Sequence, residues 1–227
     1  MKKYTKDDLQ YYKHDIASAN DFVSEETAKA MIKYFEQQAG IWGPIAFYGS
    51  LGMGLAPTDP TLERLGLEPN FFENLRNRFK ETVEMFFNRE LRPNTSHAQK
   101  WDVGGFAAPH SDNSDHEGNP NAFEINKYVG ILYLNNDYEG GELYFPRHGI
   151  KFKPQLGQYI MFPGGHENIH GVSEITKGTR YTMVSFWDYA DAVYDEETKA
   201  KWKKEEEEIR KQQAEQREEW AKGNKFA

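Results

Sequence analysis

Residues 94–188 consist of short apolar segments, and glycine, proline, asparagine or aspartate separates each segment from the next. Their length and their aromatic and β-branched content predict β-strands. The predicted strands lie near residues 97–108, 126–135, 142–146, 150–153, 158–162, 168–173 and 179–188. Seven or eight short strands at this spacing predict a β-sandwich or a jelly roll.

Two amphipathic helices are predicted before the strands. Residues 25–38 carry apolar side chains at helical spacing after Ser24, a residue type that caps helix N-termini well. Residues 71–90 carry a stripe of phenylalanine and aliphatic side chains, and Asn70 with Glu73 forms a capping-box pattern at its start. We expect the two helices to cover one sheet, with the phenylalanine stripe facing the core.

Residues 40–62 contain several glycines and three prolines, with Trp42, Phe47 and Tyr48 interleaved. An irregular segment of this length inside a compact domain is usually functional or mobile. Two interpretations remain open: a lid that carries aromatic side chains over a pocket, or a loop that packs on the core.

The charge and the cysteine content exclude several classes of protein. The net charge is -8, and residues 195–227 hold ten acidic and nine basic residues, so residues 1–194 carry about -7. A surface that binds a polyanion should be basic, and the charge therefore disfavours nucleic acid as a partner. The chain has no cysteine, which excludes disulfides and thiolate metal sites.

The sequence also gives an expectation for localisation. No stretch approaches the roughly 18 apolar residues of a membrane span. Residues 1–8 lack the apolar segment of a secretory signal. We therefore expect a cytoplasmic protein without a membrane partner.

Two histidines and an aspartate form a candidate metal site. His110 and Asp112 follow one predicted strand, and His170 lies on another, 58 residues after Asp112. Two imidazoles and one carboxylate can bind one face of Fe(II) and leave two positions for a 2-oxo acid and one for O2. Three N/O ligands argue against structural zinc, which prefers a closed tetrahedron. His166 competes with His170, but it lies in the turn-like run Pro163-Gly164-Gly165.

These residues belong to a longer pattern that resembles the Fe(II)- and 2-oxoglutarate-dependent dioxygenases of the prolyl 4-hydroxylase-like group. The pattern covers residues 97–188 and contains His110-Ser111-Asp112, Tyr128 to Asn135, Gly140-Gly141-Glu142-Leu143, His170-Gly171-Val172 and Gly178-Thr179-Arg180. The resemblance implies a double-stranded β-helix, the jelly roll of this family. In that fold His110 and Asp112 lie at the end of the second core strand and His170 on the seventh.

The resemblance also implies a site for the co-substrate. Arg180 on the last core strand pairs with the distal carboxylate of 2-oxoglutarate, which a planar guanidinium matches in a bidentate way. Tyr133 aligns with a tyrosine that hydrogen-bonds this carboxylate in some relatives. Trp101 stands where relatives often carry tyrosine, and it could line the same pocket. Tyr133 and Trp101 could equally be simple core side chains.

The activity implied by the resemblance is hydroxylation of an unactivated C–H bond with Fe(II), 2-oxoglutarate and O2, with ascorbate as a further candidate cofactor. The preferred substrate is a prolyl residue in a peptide or protein. The alternative is a free amino acid or other small metabolite, and demethylation of nucleic acid ranks third because the chain is acidic. A non-catalytic jelly-roll binding module is the competing class. The complete set of His110, Asp112, His170 and Arg180 argues against it.

Composition and resemblance together divide the chain into two parts. Residues 1–194 are the expected dioxygenase domain, with a helical part over 1–93 and a jelly-roll core over 94–190. Residues 195–227 are a charged extension, with a predicted solvated helix over 195–222. Trp202 and Trp220 are its apolar anchors, and the helix has no sustained heptad pattern of a coiled coil.

Overall fold

The computed structural model describes residues 2–38, 42–45 and 50–221 of the 227-residue chain. The helices are α1 (Glu25–Gln37), α2 (Phe71–Phe87) and α3 (Glu196–Ala221). The strands in chain order are β1 (Leu9–Tyr12), β2 (Ile16–Ala19), β3 (Gly43–Pro44), β4 (Leu51–Gly54), β5 (Leu91–Trp101), β6 (Ala107–His110), β7 (Tyr128–Tyr133), β8 (Glu139–Gly140), β9 (Leu143–Phe145), β10 (Ile150–Phe152), β11 (Tyr159–Pro163), β12 (His170–Val172), β13 (Ile175–Lys177) and β14 (Arg180–Tyr189).

The strands form two main antiparallel sheets. The major sheet has the order β1-β2-β11-β7-β14-β5-β4-β3, and the minor sheet has the order β10-β9-β12-β6. Along the chain, the core strands pass back and forth between these two sheets. Strands β5, β7, β11 and β14 lie in the major sheet, and strands β6, β9, β10 and β12 lie in the minor sheet. This crossing between two facing sheets is a jelly roll. The predicted fold class, mainly β with flanking helices, is confirmed.

Side-chain alternation along β7 builds the core between the two sheets. Val129, Ile131 and Tyr133 pack in this inner core together with Val184 of β14, whereas Leu132 packs on the helix side. The predicted shared face of these β7 residues is therefore confirmed. The other buried members of the inner core are Ile16, Leu143, Phe145, Phe152, Ile160 and Phe162.

Helices α1 and α2 cover the outer face of the major sheet. Phe79 of α2 stacks on Tyr159 of β11 with ring centroids 4.6 Å apart, and Phe22 packs on both rings. Helix α1 follows Ser24, whose hydroxyl accepts a hydrogen bond from the N–H of Thr27 at 3.1 Å. The prediction of two core-facing helices on one sheet is confirmed.

The capping box predicted at Asn70 is wrong. The Asn70 side chain makes no capping hydrogen bond to α2, and the N–H of Glu73 donates to the Pro57 carbonyl at 3.2 Å instead. Helix α2 also ends three residues before the predicted boundary, because Asn88 adopts the left-handed conformation at φ 51°.

The single strand predicted over residues 97–108 is two strands in different sheets. Strand β5 starts at Leu91 and holds Pro93 next to a register shift in its pairing with β14, where a residue without an N–H is tolerated. A turn with Gly104 at φ 88° then carries the chain to β6 in the minor sheet. This turn brings residues after position 106 to the metal-site side of the barrel.

The description of residues 40–62 as irregular throughout is also wrong. Strands β3 and β4 extend the edge of the major sheet, and Trp42 and Met53 are buried in the helix-side core. The described part of this segment therefore packs on the core. Phe47 and Tyr48 lie outside the described residues.

Helix α3 matches the charged helix predicted near the C-terminus. The Asp195 carboxylate accepts a hydrogen bond from the N–H of Thr198 at 2.7 Å, and Trp202 packs edge-on against Tyr194. The Trp220 side chain lies outside the described part of the chain. Among the helices that are described, none has the length and apolar character needed to cross a membrane.

Candidate active site

His110 and His170 lie opposite each other on neighbouring strands of the minor sheet. His110 ends β6, His170 begins β12, and the two residues are register partners. Asp112 follows β6, and its N–H donates to the Gly164 carbonyl at 3.0 Å, which holds the turn after His110. Ligand-capable atoms of the three side chains lie within 4.8 Å of one another. The fold therefore brings together three residues of which the first and the last, His110 and His170, are 60 positions apart in sequence.

Main-chain carbonyls orient both imidazoles. His110 Nδ1 donates to the Ala108 carbonyl at 2.8 Å, and His170 Nδ1 donates to the Asn168 carbonyl at 3.0 Å. A carbonyl only accepts, so each Nδ1 carries the proton and each Nε2 keeps its lone pair. His110 Nε2 lies 3.8 Å from Asp112 Oδ1, and His170 Nε2 lies 3.6 Å from Asp112 Oδ2. Three unprotonated ligand atoms therefore surround one small space.

Burial sets the charge of these groups. Desolvation lowers the pKa of His170 to about 4 and that of His110 to about 4, with the neighbouring His170 adding to the effect on His110. Desolvation raises the pKa of Asp112 to about 6. At pH 7 both imidazoles are thus neutral and the carboxyl is ionised, which is the state that binds a metal cation. Because the imidazoles are neutral, their contacts with Asp112 are not ion pairs.

The donor set fits Fe(II). Asp112 Oδ2 is buried and has no hydrogen-bond partner within residues 2–38, 42–45 and 50–221. A buried carboxylate oxygen in this state is costly unless a cation compensates it. Two imidazole nitrogens and one carboxylate form the facial arrangement of non-haem Fe(II) oxygenases and leave other coordination positions open. The residues present could therefore hold iron.

Arg180 is a buried cation at the start of β14. Its side chain is 1% exposed, and its Cζ lies 5.2 Å from the centre of the Trp101 ring and 5.0 Å from that of Tyr133. Arg180 Nη2 donates to the Tyr133 hydroxyl at 3.3 Å, whereas Nε and Nη1 have no hydrogen-bond partner in the described part of the chain. A buried guanidinium with two free donor nitrogens fits an acidic ligand.

The rings of Tyr133 and Trp101 both lie beside the Arg180 guanidinium. Burial raises the pKa of Tyr133 to about 12, so the phenol is protonated. Because Arg180 donates to the Tyr133 oxygen, the phenolic hydrogen is available to a second acceptor. A carboxylate next to Arg180 would be such an acceptor.

A polar ladder on β5, which the sequence analysis missed, supports this pocket. The Gln99 side-chain oxygen accepts from the Trp101 indole at 3.2 Å and from the Thr182 hydroxyl at 3.5 Å. The Gln99 amide nitrogen therefore faces His97 Nε2, at 3.1 Å, and the His97 nitrogen accepts. The signal was present as alternation: residues 97, 99 and 101 share one face of a strand.

Tyr138 is a second residue that the sequence analysis missed. Its side chain is 8% exposed. Burial raises the pKa of the Tyr138 phenol, and the nearby Arg180 charge offsets only part of this increase. It lies in the loop between β7 and β8, where strand alternation makes no prediction about side-chain direction.

The other candidate histidine is away from the site. The His166 side chain is 47% exposed, its Nδ1 lies 3.7 Å from Glu167, and its carbonyl accepts a hydrogen bond from Arg147 at 2.6 Å. Glu142 accepts a hydrogen bond from the Ser173 hydroxyl and lies 3.5 Å from Lys151. Both residues therefore have local surface contacts of their own.

Residues 96–188 match the sequence profile of the 2OG-Fe(II) oxygenase superfamily. This segment is therefore a 2OG-Fe(II) oxygenase domain. The matched segment runs from the middle of β5 to near the end of β14 and includes His110, Asp112, His170 and Arg180. The predicted family is confirmed, and its cofactors are Fe(II), 2-oxoglutarate and O2.

Characterised prolyl hydroxylases are similar to part of the oxygenase. Human prolyl 3-hydroxylase 2 is 39% identical over 99 residues, which is 38% of this chain and 14% of the relative. Chicken (Gallus gallus) prolyl 3-hydroxylase 1 is 39% identical over 82 residues, which is 34% of this chain and 11% of the relative. The similarity thus spans only 11–14% of the length of these relatives.

Solved prolyl hydroxylases share the fold of the oxygenase. The viral collagen prolyl hydroxylase of Paramecium bursaria Chlorella virus-1, in complex with 2-oxoglutarate, matches with a TM-score of 0.58 and 15% identity over 78% of this chain and 98% of that chain. A Trichoplax adhaerens prolyl hydroxylase bound to a hypoxia-inducible-factor peptide matches with a TM-score of 0.60 and 14% identity over 83% of this chain and 87% of that chain. The predicted double-stranded β-helix is confirmed.

Proposed function

We propose that this chain is an Fe(II)- and 2-oxoglutarate-dependent dioxygenase that hydroxylates a prolyl residue in a peptide or protein. The observation that carries the proposal is one barrel with two complementary sites. His110, Asp112 and His170 form a cation site whose carboxylate oxygen has no other partner among the described residues. Arg180 forms an anion site on β14, and β14 contributes Val184 to the same inner core.

The proposed role of the three ligands is to hold iron in a fixed geometry. Hydrogen bonds from both Nδ1 atoms to main-chain carbonyls fix the ring orientation and increase the basicity of each Nε2. Bound iron, with 2-oxoglutarate and O2, supplies the oxidising chemistry for an unactivated C–H bond. Phe145 and Phe162 pack on His170 at 5.7 Å and 4.7 Å between ring centroids and exclude water from that side.

The proposed role of Arg180 is to bind the distal carboxylate of 2-oxoglutarate. Its free Nε and Nη1 can form two parallel hydrogen bonds with a carboxylate. The Trp101 and Tyr133 rings hold the guanidinium in place, so little side-chain freedom is lost when the ligand binds. The Tyr133 hydroxyl can donate a further bond.

The substrate assignment rests on the similar proteins. Prolyl 3-hydroxylases are similar in sequence, and the Trichoplax neighbour is bound to a peptide of hypoxia inducible factor. A free amino acid or other small metabolite remains the second candidate, and the net charge of -8 weighs against nucleic acid.

An anaerobic titration tests the cofactor site. Metal-free protein is titrated with Fe(II) and then with 2-oxoglutarate, and we expect a weak charge-transfer band in the visible spectrum. His170→Ala should abolish the band, while the matched control His166→Ala, four residues away and half-exposed, should keep it. If wild type binds iron but gives no band and forms no succinate in air, the chain is a metal-binding jelly roll and not a dioxygenase.

A second assay tests the substrate. Proline-rich peptides and free proline are incubated separately with the iron-loaded enzyme, and succinate release and a mass gain of one oxygen atom are measured. Peptide-dependent turnover without turnover of free proline is expected. Turnover of the free amino acid alone would favour the small-metabolite alternative.

A further inference from the structure

Tyr138 closes one side of the space around Arg180. The residue belongs to a small buried cluster formed with Trp101, Ala107, Val172 and Ile175. These four residues come from both sheets and from the short strand β13, so the Tyr138 ring is held by several elements. A side chain packed in this way cannot turn its hydroxyl out to solvent without breaking the cluster.

The Tyr138 ring and the Arg180 side chain approach the same point beside Gly141. A Cβ built on Gly141 would lie 2.9 Å from Tyr138 Cε2 and 3.1 Å from Arg180 Cδ. Gly141 has φ 66°, a conformation that glycine adopts without strain. Glycine at this position therefore lets the two side chains pass side by side.

The Tyr138 hydroxyl is buried beside the Arg180 side chain, and its hydrogen has no acceptor in residues 2–38, 42–45 and 50–221. Arg180 Nε and Nη1 are in the same condition. A buried donor group without an acceptor destabilises the fold, so three such groups in one place fit a site that receives a polar ligand. A single carboxylate, with two oxygens and about four acceptor positions, could satisfy all of them.

We propose that Tyr138 donates a hydrogen bond to the distal carboxylate of 2-oxoglutarate, as a binding residue additional to Arg180 and Tyr133. The inference rests on the proposed function, because it requires that Arg180 receive this carboxylate. The carboxylate is then held by one guanidinium and two phenols that approach from different elements, β7 for Tyr133 and the β7–β8 loop for Tyr138. Recognition of the distal end is thus stronger than a lone arginine provides.

The competing explanation is that Tyr138 only fills space beside Arg180. In that case its ring matters and its hydroxyl does not, and removal of the hydroxyl would leave ligand preference unchanged. The two explanations differ in the response to a ligand that lacks the distal carboxylate.

The experiment measures binding of 2-oxoglutarate and of pyruvate to the 227-residue protein loaded with Mn(II), by calorimetry. Pyruvate offers the same 2-oxo acid to the metal and has no distal carboxylate. Tyr138→Phe is compared with Tyr159→Phe, a matched loss of a buried phenol whose oxygen lies 3.4 Å from Ser185 on the helix side of the major sheet. Mn(II) affinity and the melting temperature of each variant are measured in parallel.

Tyr138→Phe should weaken 2-oxoglutarate binding roughly 10- to 100-fold, the range for loss of a hydrogen bond to a charged group. Pyruvate and Mn(II) binding should not change, and Tyr159→Phe should bind both 2-oxo acids as wild type does. Unchanged 2-oxoglutarate affinity in Tyr138→Phe overturns the inference, as does an equal loss for both ligands. If wild type itself binds 2-oxoglutarate no more tightly than pyruvate, the proposed function fails as well.

Discussion

Histidines 97, 110 and 170 all sit in the barrel with a pKa lowered to about 4 by desolvation. His97 differs from the other two because its Nε2 accepts a hydrogen bond from Gln99 instead of facing Asp112. Its contribution can therefore be separated from metal binding. An unfolded chain protonates histidine near pH 6.5, whereas the folded protein resists protonation of His97 until about pH 4.

The pH dependence of stability follows from this difference. Because the unfolded state takes up the proton first, His97 destabilises the fold as the pH falls from 6.5 towards 4, by up to about 3 kcal/mol. His97→Gln should flatten that part of the acid limb, measured as the urea unfolding free energy of metal-free protein between pH 7 and pH 4. Equal slopes in wild type and His97→Gln would contradict the assignment of a half-buried neutral imidazole.

At this scale the sequence predicted the residues that follow a motif and missed those that depend on loop geometry. His110, Asp112, His170 and Arg180 have fixed spacing, because strand register places them. Tyr138 lies in a loop, and only the packing of β13 and Gly141 turns it towards Arg180. No local pattern encodes that contact.

The pairing of β6 with β12 is the element that sets the distance between the two histidines. Gly171 follows His170 on β12, and the backbone of β6 passes very near it. A Cβ at Gly171 would lie 2.6 Å from the Tyr144 hydroxyl and 2.8 Å from the Ala107 carbonyl oxygen. The tyrosine tip can move, but the carbonyl belongs to the β6 backbone and cannot yield without moving the strand.

Gly171→Ala should therefore push β12 away from β6 and weaken metal binding. We expect a loss of about 1–3 kcal/mol in the free energy of unfolding, as for other overpacked sites, and a several-fold weaker Mn(II) affinity by calorimetry. Gly54→Ala is the matched control, since a Cβ at Gly54 of β4 meets no atom within 4 Å. Wild-type Mn(II) affinity in Gly171→Ala would show that the close approach does not set the ligand distance.

Element positions were predictable where alternation is regular and unpredictable where pairing is non-local. Strands β7, β11 and β14 match the predicted segments near 126–135, 158–162 and 179–188 because both of their faces are buried. The break between β5 and β6 was missed, since the Gly104 turn sends the chain to another sheet within a few residues. The two-residue strand β3 has too few side chains to show a period.

For the molecule as a whole, the contacts around the start of α3 decide where the domain ends. Tyr194 donates to the buried Asp188 carboxylate at 2.8 Å, and Asp188 pairs with Arg92 at 2.6 Å, so the chain is tied to the barrel just before α3. Helix α3 has few apolar side chains; its Trp202 packs on Tyr194, and the helix also lies against the edge strand β3. The proposed boundary at 194–195 follows the hydrogen bond from Tyr194 to Asp188.

Truncation tests this boundary. A chain that ends at Asp195 should keep its melting temperature within about 2 °C and bind Mn(II) and 2-oxoglutarate as the full chain does, because a loss well below 1 kcal/mol shifts the midpoint little. A chain that ends at Asp191 lacks Tyr194 and should melt at a lower temperature, since Asp188 loses a hydrogen bond. Aggregation of the Asp195 chain would place α3 within the domain.

The carbonyls that orient His110 and His170 have a consequence for how such a site can change over generations. A side-chain acceptor disappears with a single codon change, whereas the carbonyls of Ala108 and Asn168 exist whatever amino acid is encoded there. Neutral drift at positions 108 and 168 therefore leaves the tautomer of each imidazole intact as long as the strands keep their register. Inheritance of the metal geometry then depends on three ligand codons and on the fold itself.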